Sequence, residues 1–215
     1  MDEQEWLECE DPETMLEFLR GWASERKLRL FACACVRRVW HLLRDRRSRW
    51  AVEMAEQYAD GLATEKELTS AYAVGAAVLS RAGLERPSRR RTFAAEAAAW
   101  AANCAVSLEE AAQRAAECCA EIVSDEEWED ECDTQCRLLR CIVGNPFRPL
   151  PARPFPPHLV GLAETCESPC PAFSADFLIL ADALDELGEE QPAAHCRELR
   201  HVKGCHVLDW ILHRD

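Results

Sequence analysis

Glycine is scarce in this chain, at eight of 215 residues, while alanine recurs throughout, a balance that favours helices. Runs of β-branched residues and strict apolar–polar alternation are missing, which argues against a sheet. No stretch approaches the ~18 consecutive apolar residues of a membrane span. The opening MDEQEWLECEDPE is acidic and lacks the basic-then-apolar order of a secretory leader, so a cytoplasmic location is expected. Positive charge is also short: 25 Lys and Arg against 39 Asp and Glu give a net charge of −14. Nucleic-acid binding needs a basic footprint, and an anionic membrane would repel such a chain. The expected partner is therefore another protein, with no oligomeric state implied. Neither G-x-x-x-x-G-K-[ST] nor G-x-G-x-x-G occurs, which excludes nucleotide binding by those routes.

Cysteine, by contrast, is plentiful. There are thirteen, an odd number, and cytosolic thiols stay reduced. Many sit among alanines, as in Ala32-Cys33-Ala34-Cys35 and Glu117-Cys118-Cys119-Ala120. In that setting cysteine serves as a small apolar core residue.

The stretch Lys27 to Leu43, KLRLFACACVRRVWHLL, is apolar on more than one side. Leu28, Phe31, Cys35, Val39 and Leu42 share one helical face, while Leu30, Cys33 and Trp40 point elsewhere. A helix of this kind belongs in the interior, jacketed by others. Ser24 is placed to cap it, and it is expected to run to about Arg44. Arg37 and Arg38 interrupt its apolar surface and require carboxylate partners or an exit to solvent.

Other helices are marked by their ends. Asp11-Pro12 opens a short helix that Gly21 closes. Another is expected over Ser48 to Ala59. Thr64-x-x-Glu67 is a capping box opening a helix that should stop at Gly83, and Ser107-x-x-Glu110 and Ser124-x-x-Glu127 are two more boxes. ERPSRRR, at Glu85 to Arg91, reads as a polar connection whose Arg86, Arg89, Arg90 and Arg91 form the most basic spot. A helix dominated by alanine follows over Thr92 to Val106. Asp125 to Asp133 is strongly acidic, yet Trp128, Cys132, Cys136, Leu139 and Val143 trace an apolar stripe through it. The segment therefore reads as an amphipathic helix with a wet acidic face. GNPFRPLPARPFPP, from Gly144 to Pro157, can be neither helix nor central strand; Phe147, Leu150 and Phe155 should lay it against the body. Further helices are expected over His158–Cys166, Ser174–Leu187, Pro192–Arg200 and Cys205–His213.

The expected fold is all-α, a multi-helix bundle or a loosely solenoid-like helical array. Residues 1–143 form an N-terminal helical region around the buried helix at about 25–44, 144–157 form the proline-rich connection, and 158–215 pack on the first region to make one structural unit.

No catalytic or cofactor-binding constellation emerges. Cys35 and His41 are six residues apart, on different faces of one helix, so they form no dyad. C-x2-C does not occur. The densest set of soft ligands is His195, Cys196, His201 and Cys205, with His206 beside them. Zinc takes such nitrogen and sulfur donors, although Gly204 falls between His201 and Cys205 and weakens a helical pairing. Cys132-x3-Cys136 and Cys166-x3-Cys170 are four-step pairs of the kind that core packing also produces.

Several phrases are distinctive: Glu5-Trp6-Leu7 with Asp11-Pro12, KLRLFACACVRRVWHLL, AVEMAEQYADGLAT at Ala51 to Thr64, GNPFRP at Gly144 to Pro149, ILADAL at Ile179 to Leu184, and His201-Val-Lys-Gly-Cys205 followed by Leu208-Asp209. Together they resemble an alanine-rich family multiplied in planctomycete bacteria. Its middle part is typically longer and richer in Ala and Trp than the Cys- and Glu-rich one here. The resemblance implies a bacterial cytosolic α-helical protein and transfers no mechanism.

The favoured function is a non-catalytic protein–protein interaction or regulatory accessory module of a bacterial assembly, with Asp125, Glu126, Glu127, Glu129, Asp130 and Glu131 as its contact surface. One alternative is a zinc-stabilised helical protein with His195, Cys196, His201 and Cys205 as ligands. A second is a cysteine-dependent hydrolase or redox enzyme.

Overall fold

A computed structural model describes residues 1–85, 88–167, 175–198 and 200–214, with side chains throughout except at 80–85 and 125. Among these residues the chain forms α-helices joined by turns and extended segments, without a β-sheet, so the all-α expectation holds. None of the helices is long and apolar enough to cross a membrane. In order they are α1 (Glu3–Glu8), α2 (Pro12–Phe18), α3 (Glu25–Arg38), α4 (Arg46–Ala59), α5 (Glu65–Glu85), α6 (Arg89–Ala101), α7 (Leu108–Ala120), α8 (Trp128–Val143), α9 (Pro157–Cys166), α10 (Ala175–Glu186), α11 (Glu190–Cys196) and α12 (His206–Ile211). The chain divides into two compact units. The first holds Met1 and Glu8–Arg137, and the second holds Asp2–Leu7 and Leu138–Asp215. The sequence reading placed its boundary after residue 143; the second unit begins at Leu138 and takes in the N-terminal segment as well.

The first unit is built around α3. Ser24 caps it, its Oγ accepting the Lys27 N–H at 3.3 Å. Every residue from Leu28 to Val36 is buried, enclosed by α4, α6 and α7. The facing surfaces are small: Ala94, Ala97 and Ala98 on α6 and Ala111, Ala112 and Ala115 on α7 are all buried. Small side chains at a contact shorten the distance between helix axes. Cysteine fills the same role, and burial raises the pKa of Cys35, Cys118 and Cys119, keeping these thiols neutral. The two arginines that end α3 find carboxylates. Arg37 takes both oxygens of Glu56 at 2.8 and 2.6 Å, and Arg38 takes both of Glu131 at 2.6 Å.

Three expectations need correction here. The central helix stops at Arg38 instead of running to Arg44, and a single 3₁₀ turn, Trp40–Leu42, follows. The break lets Leu43 turn into the core, where it is 2% exposed, and lets Asp45 cap α4 by accepting the Arg47 N–H at 2.9 Å. Trp40 is only half-buried; its ring is a platform under the Arg37 guanidinium, 4.1 Å away. Second, α5 passes through Gly83 to Glu85. A glycine inside a helix costs about 1 kcal/mol relative to alanine and does not by itself end it. Third, Arg89, Arg90 and Arg91 belong to the first turn of α6, not to a loop, and Arg89 pairs with Glu121. Arg86 and Pro87 lie outside the described residues. The box at Thr64 and Glu67 forms in both directions, as does that at Ser124 and Glu127.

In the second unit, Phe177, Leu180 and Leu184 of α10 join Leu159 and Ala163 of α9 and Val207 and Ile211 of α12 in one core. Trp6 is fully buried here; its Nε1 donates to the Gly144 carbonyl at 3.1 Å, and its own carbonyl accepts from Arg140 at 3.1 Å. The proline-rich segment is extended. It is held where the Trp210 Nε1 donates to the Pro151 carbonyl at 2.8 Å and where Phe155 meets the Trp210 ring edge-on at 4.5 Å.

Candidate metal centre

Four ligand atoms converge inside the second unit. They belong to Cys141, His195, His201 and Cys205, and all lie within 4.8 Å of one another. Cys141 comes from the last turn of α8, His195 from the end of α11, His201 from the connection that follows, and Cys205 is the residue that starts α12. The connection can bring His201 and Cys205 together because Gly204 adopts φ +83°, turning the chain there. Cys205 Sγ is 3.4 Å from His195 Nε2 and 3.8 Å from His201 Nδ1. In a tetrahedral zinc site with bonds of about 2.0–2.3 Å, neighbouring ligand atoms are about 3.3–3.8 Å apart. The two separations from Cys205 already fall in that range, and the set as a whole, which spans up to 4.8 Å, would have to contract by about 1 Å at its widest to match.

The outer groups set the two imidazoles for this task. His195 Nδ1 faces Glu198 Oε1 at 3.1 Å, and His201 Nε2 faces the Cys196 carbonyl at 3.3 Å. Both partners are acceptors, so the hydrogen-bond pattern assigns the ring protons to those nitrogens. Of the other two, His201 Nδ1 faces the cluster with its lone pair, and His195 Nε2 faces Cys205 Sγ. Second-layer acceptors of this kind fix the tautomer and raise the basicity of metal-bound histidines. Phe177 stacks on His201 at 3.9 Å with the planes 8° apart, which fixes the ring further.

Electrostatics point the same way. Burial disfavours charge on both His195 and Cys205, but their mutual attraction, with Glu198 behind His195, outweighs it. The His195 pKa is raised to about 10, and the Cys205 thiol is lowered well below its ordinary value. Cys141 moves the opposite way, first because its S–H donates to Cys205 and then because it is buried. The charged form is thus favoured on Cys205 and disfavoured on Cys141, whose S–H is the hydrogen-bond donor of the pair. A cation entering the cluster would displace the protons of Cys141 and His195, as metal binding to such ligands does.

The backbone around the site is constrained as well. Gly144 follows α8 with φ +77°, and a Cβ there would meet His206 Cδ2 at 2.7 Å. His206 Nδ1 in turn donates to the Cys141 carbonyl at 2.9 Å. Any side chain at 144 would both strain the turn and push His206 off the last turn of α8.

Of the ligands expected from sequence, His195, His201 and Cys205 are in the cluster, and Cys196 is not. The Cys196 side chain packs into the core of the second unit, and only its backbone oxygen serves the site. Cys141 was missed because it lies 54 positions before His195 in the numbering, and nothing local separates it from the other cysteines in α8. Cys170 lies outside the described residues.

The expected contact surface divides. Glu126, Glu127, Glu129 and Asp130 are exposed, whereas Glu131 is 6% exposed and bound to Arg38. Helical periodicity turns Glu131 inward, so it belongs to the core of the first unit and leaves the surface. The side chain of Asp125 lies outside the described residues. Trp128, expected on the buried stripe with Cys136 and Leu139, is 46% exposed. With Glu129 and Cys132 it lines a cleft of about 590 Å³ that reaches α2 and α7.

No protein-family model, curated protein or solved structure matches the chain.

Proposed function

We propose that the protein is a non-catalytic, zinc-binding helical module: a Cys2His2 centre of Cys141, His195, His201 and Cys205 locks its second unit, and the first unit serves a protein partner. The observation that carries the metal reading is the convergence of two sulfurs and two imidazole nitrogens within 4.8 Å. A mixed sulfur and nitrogen set of four suits zinc in a closed, structural role. The same thiolate, imidazole and carboxylate string could describe a cysteine nucleophile with its base. Cys205 is 0% exposed, however, and a second thiol and a second imidazole crowd its sulfur, where a substrate would have to enter. These features favour a ligand over a nucleophile.

Protein purified without added metal is expected to carry about one equivalent of zinc by elemental analysis, and a strong chelator is expected to lower its melting temperature, since metal affinity at such sites is folding energy. Less than a tenth of an equivalent, with no stabilisation on adding zinc, would end the reading.

The partner role is favoured by the cleft beside Trp128. Its floor is apolar, with Leu16, Ala116 and Ala120, and its rim carries Glu10 and Glu129, neither paired to a described residue. Replacing Glu126, Glu129 and Asp130 together by lysine should abolish capture of whatever co-purifies with the native chain while leaving helix content unchanged. Full retention of every co-purifying protein would remove the role.

A further inference from the structure

The cleft beside Trp128 has a definite chemistry. It lies wholly within the first unit. Five of its lining residues are acidic, Glu10, Asp11, Glu13, Glu117 and Glu129, and none is Lys, Arg or His. Glu117 is met by Arg114 at 3.1 Å. The other four are exposed and pair with no cation among the described residues. Asp11 accepts from the Glu13 N–H and the Thr14 hydroxyl, and Glu13 accepts from the Gln113 amide. These donors are neutral, so they leave the negative charge uncancelled.

Carboxylates alone would mean little on a chain of net charge −14, but two other lining residues point to an occupant. Trp128 is 46% exposed. Elsewhere in the molecule arginines lie over Trp40, Tyr58, Phe93 and Phe155, the guanidinium carbon 4.1–5.5 Å from the ring centre. Among the described residues no cation lies over Trp128. Gln135 is 1% exposed and lines the cleft as well. Its Nε2 donates to the Ala116 carbonyl at 3.0 Å and to Glu131 at 2.9 Å, while its Oε1 accepts from none of the described residues. Acceptors buried to this degree normally have a donor.

An arginine side chain matches all of these features. Its charge answers the carboxylates, its planar head stacks on an aromatic ring and still donates to an oxygen, and its methylene stem suits the apolar lining of Leu16, Ala116 and Ala120. Lysine has the charge and the stem but no planar head. Free arginine would bring its own carboxylate against four uncancelled acids, whereas an arginine inside a peptide would not. The cleft, at about 590 Å³, is within the range of ligand sites.

We propose that this cleft binds an arginine-bearing basic segment of a partner protein, with the guanidinium on the Trp128 ring and Glu10 and Glu129 as its counter-charges. The proposal rests on the partner role given above and names the chemistry of that partner.

The test is fluorescence-anisotropy titration of the full chain against a labelled, C-terminally amidated peptide, Gly-Ser-Arg-Leu-Arg-Ser-Gly, at about 150 mM salt, where long-range attraction is screened. The peptide should bind with a dissociation constant below about 1 mM. Citrulline in place of both arginines keeps the shape without the charge and should weaken binding about tenfold; lysine should weaken it several-fold. Trp128→Ala leaves every carboxylate in place and should weaken binding about tenfold. Glu10→Gln combined with Glu129→Gln should do the same, and because these residues are exposed the variants keep the fold. Glu164→Gln combined with Glu186→Gln removes equal charge from exposed positions in the second unit and should change nothing. Should Trp128→Ala fail to fold, the peptide analogues and the two glutamate pairs decide. The proposal is overturned if the arginine peptide does not bind, if the citrulline or lysine peptide binds as tightly, if folded Trp128→Ala binds like the parent, or if the second-unit pair weakens binding as much as the cleft pair. The two readings fail separately. A chain that loses its co-purifying protein on lysine substitution of Glu126, Glu129 and Asp130 but ignores the arginine peptide keeps the partner role and loses this site. One that binds the peptide through Trp128 while the lysine variant retains every co-purifying protein keeps this site and loses that role.

Discussion

Cys141→Ser is expected to lose stoichiometric zinc, and Cys196→Ser is expected to keep it. The two cysteines are both buried, and only the geometry separates them. Cys141 presents its sulfur to the cluster, so serine there replaces a thiolate ligand by a hydroxyl that does not ionise near neutral pH. Outer-layer partners of metal ligands are worth about 10–100-fold in affinity, and a first ligand should exceed that. With zinc in excess, a hundredfold loss of affinity removes about 2.7 kcal/mol of stability, readable as a lower melting temperature that added zinc no longer restores. Cys196 contributes its carbonyl to His201, and a backbone oxygen survives side-chain replacement. Cys196→Ser buries a hydroxyl in an apolar core, so stability falls by about 1–3 kcal/mol while the metal content stays near one equivalent. Glu198→Gln should fall between the two, retaining zinc with weakened affinity because its amide still reaches His195 but no longer carries charge. Zinc retained by Cys141→Ser, or lost from Cys196→Ser, would show that the wrong four atoms have been chosen.

The contrast between these cysteines also shows where reading the chain from its sequence stops. Helix starts were legible because capping is local. Ser24, Asp11 and Thr64 each satisfy a free N–H two or three residues away, and the signal lies within one turn of sequence. Helix ends were less so. Gly83 and the stretch after Arg38 were misplaced because the outcome depends on whether the next apolar side chain, such as Leu43, has a core to turn into. Ligands close in sequence, His195 to Cys205, could be grouped by spacing, whereas Cys141 could be added only by the packing of α8 in the second unit. The inward turn of Glu131 was hidden in the same way. One acid in a run of acids looks like its neighbours until a buried arginine is found opposite it.

A core substitution in α3 should produce the largest loss of stability in the first unit. Phe31 is 1% exposed, in the middle of a helix buried from Leu28 to Val36, and Phe31→Ala should cost about 3–5 kcal/mol through lost transfer energy and the cavity left behind. Natural domains hold only about 5–15 kcal/mol in reserve, so the midpoint of urea unfolding should fall steeply, and native-state hydrogen exchange of α3 amides should accelerate in proportion. Trp40→Ala removes a larger side chain but should cost less, about 1–2 kcal/mol, because the ring is half in water and its main partner is the Arg37 guanidinium above it. The order of the two effects is the informative result. If α3 is enclosed on every side, the smaller aromatic must matter more than the larger one. A Trp40→Ala loss equal to or greater than that of Phe31→Ala would mean that the enclosure extends past Arg38, and the chain would then have to be re-read as one long interior helix with no break before α4.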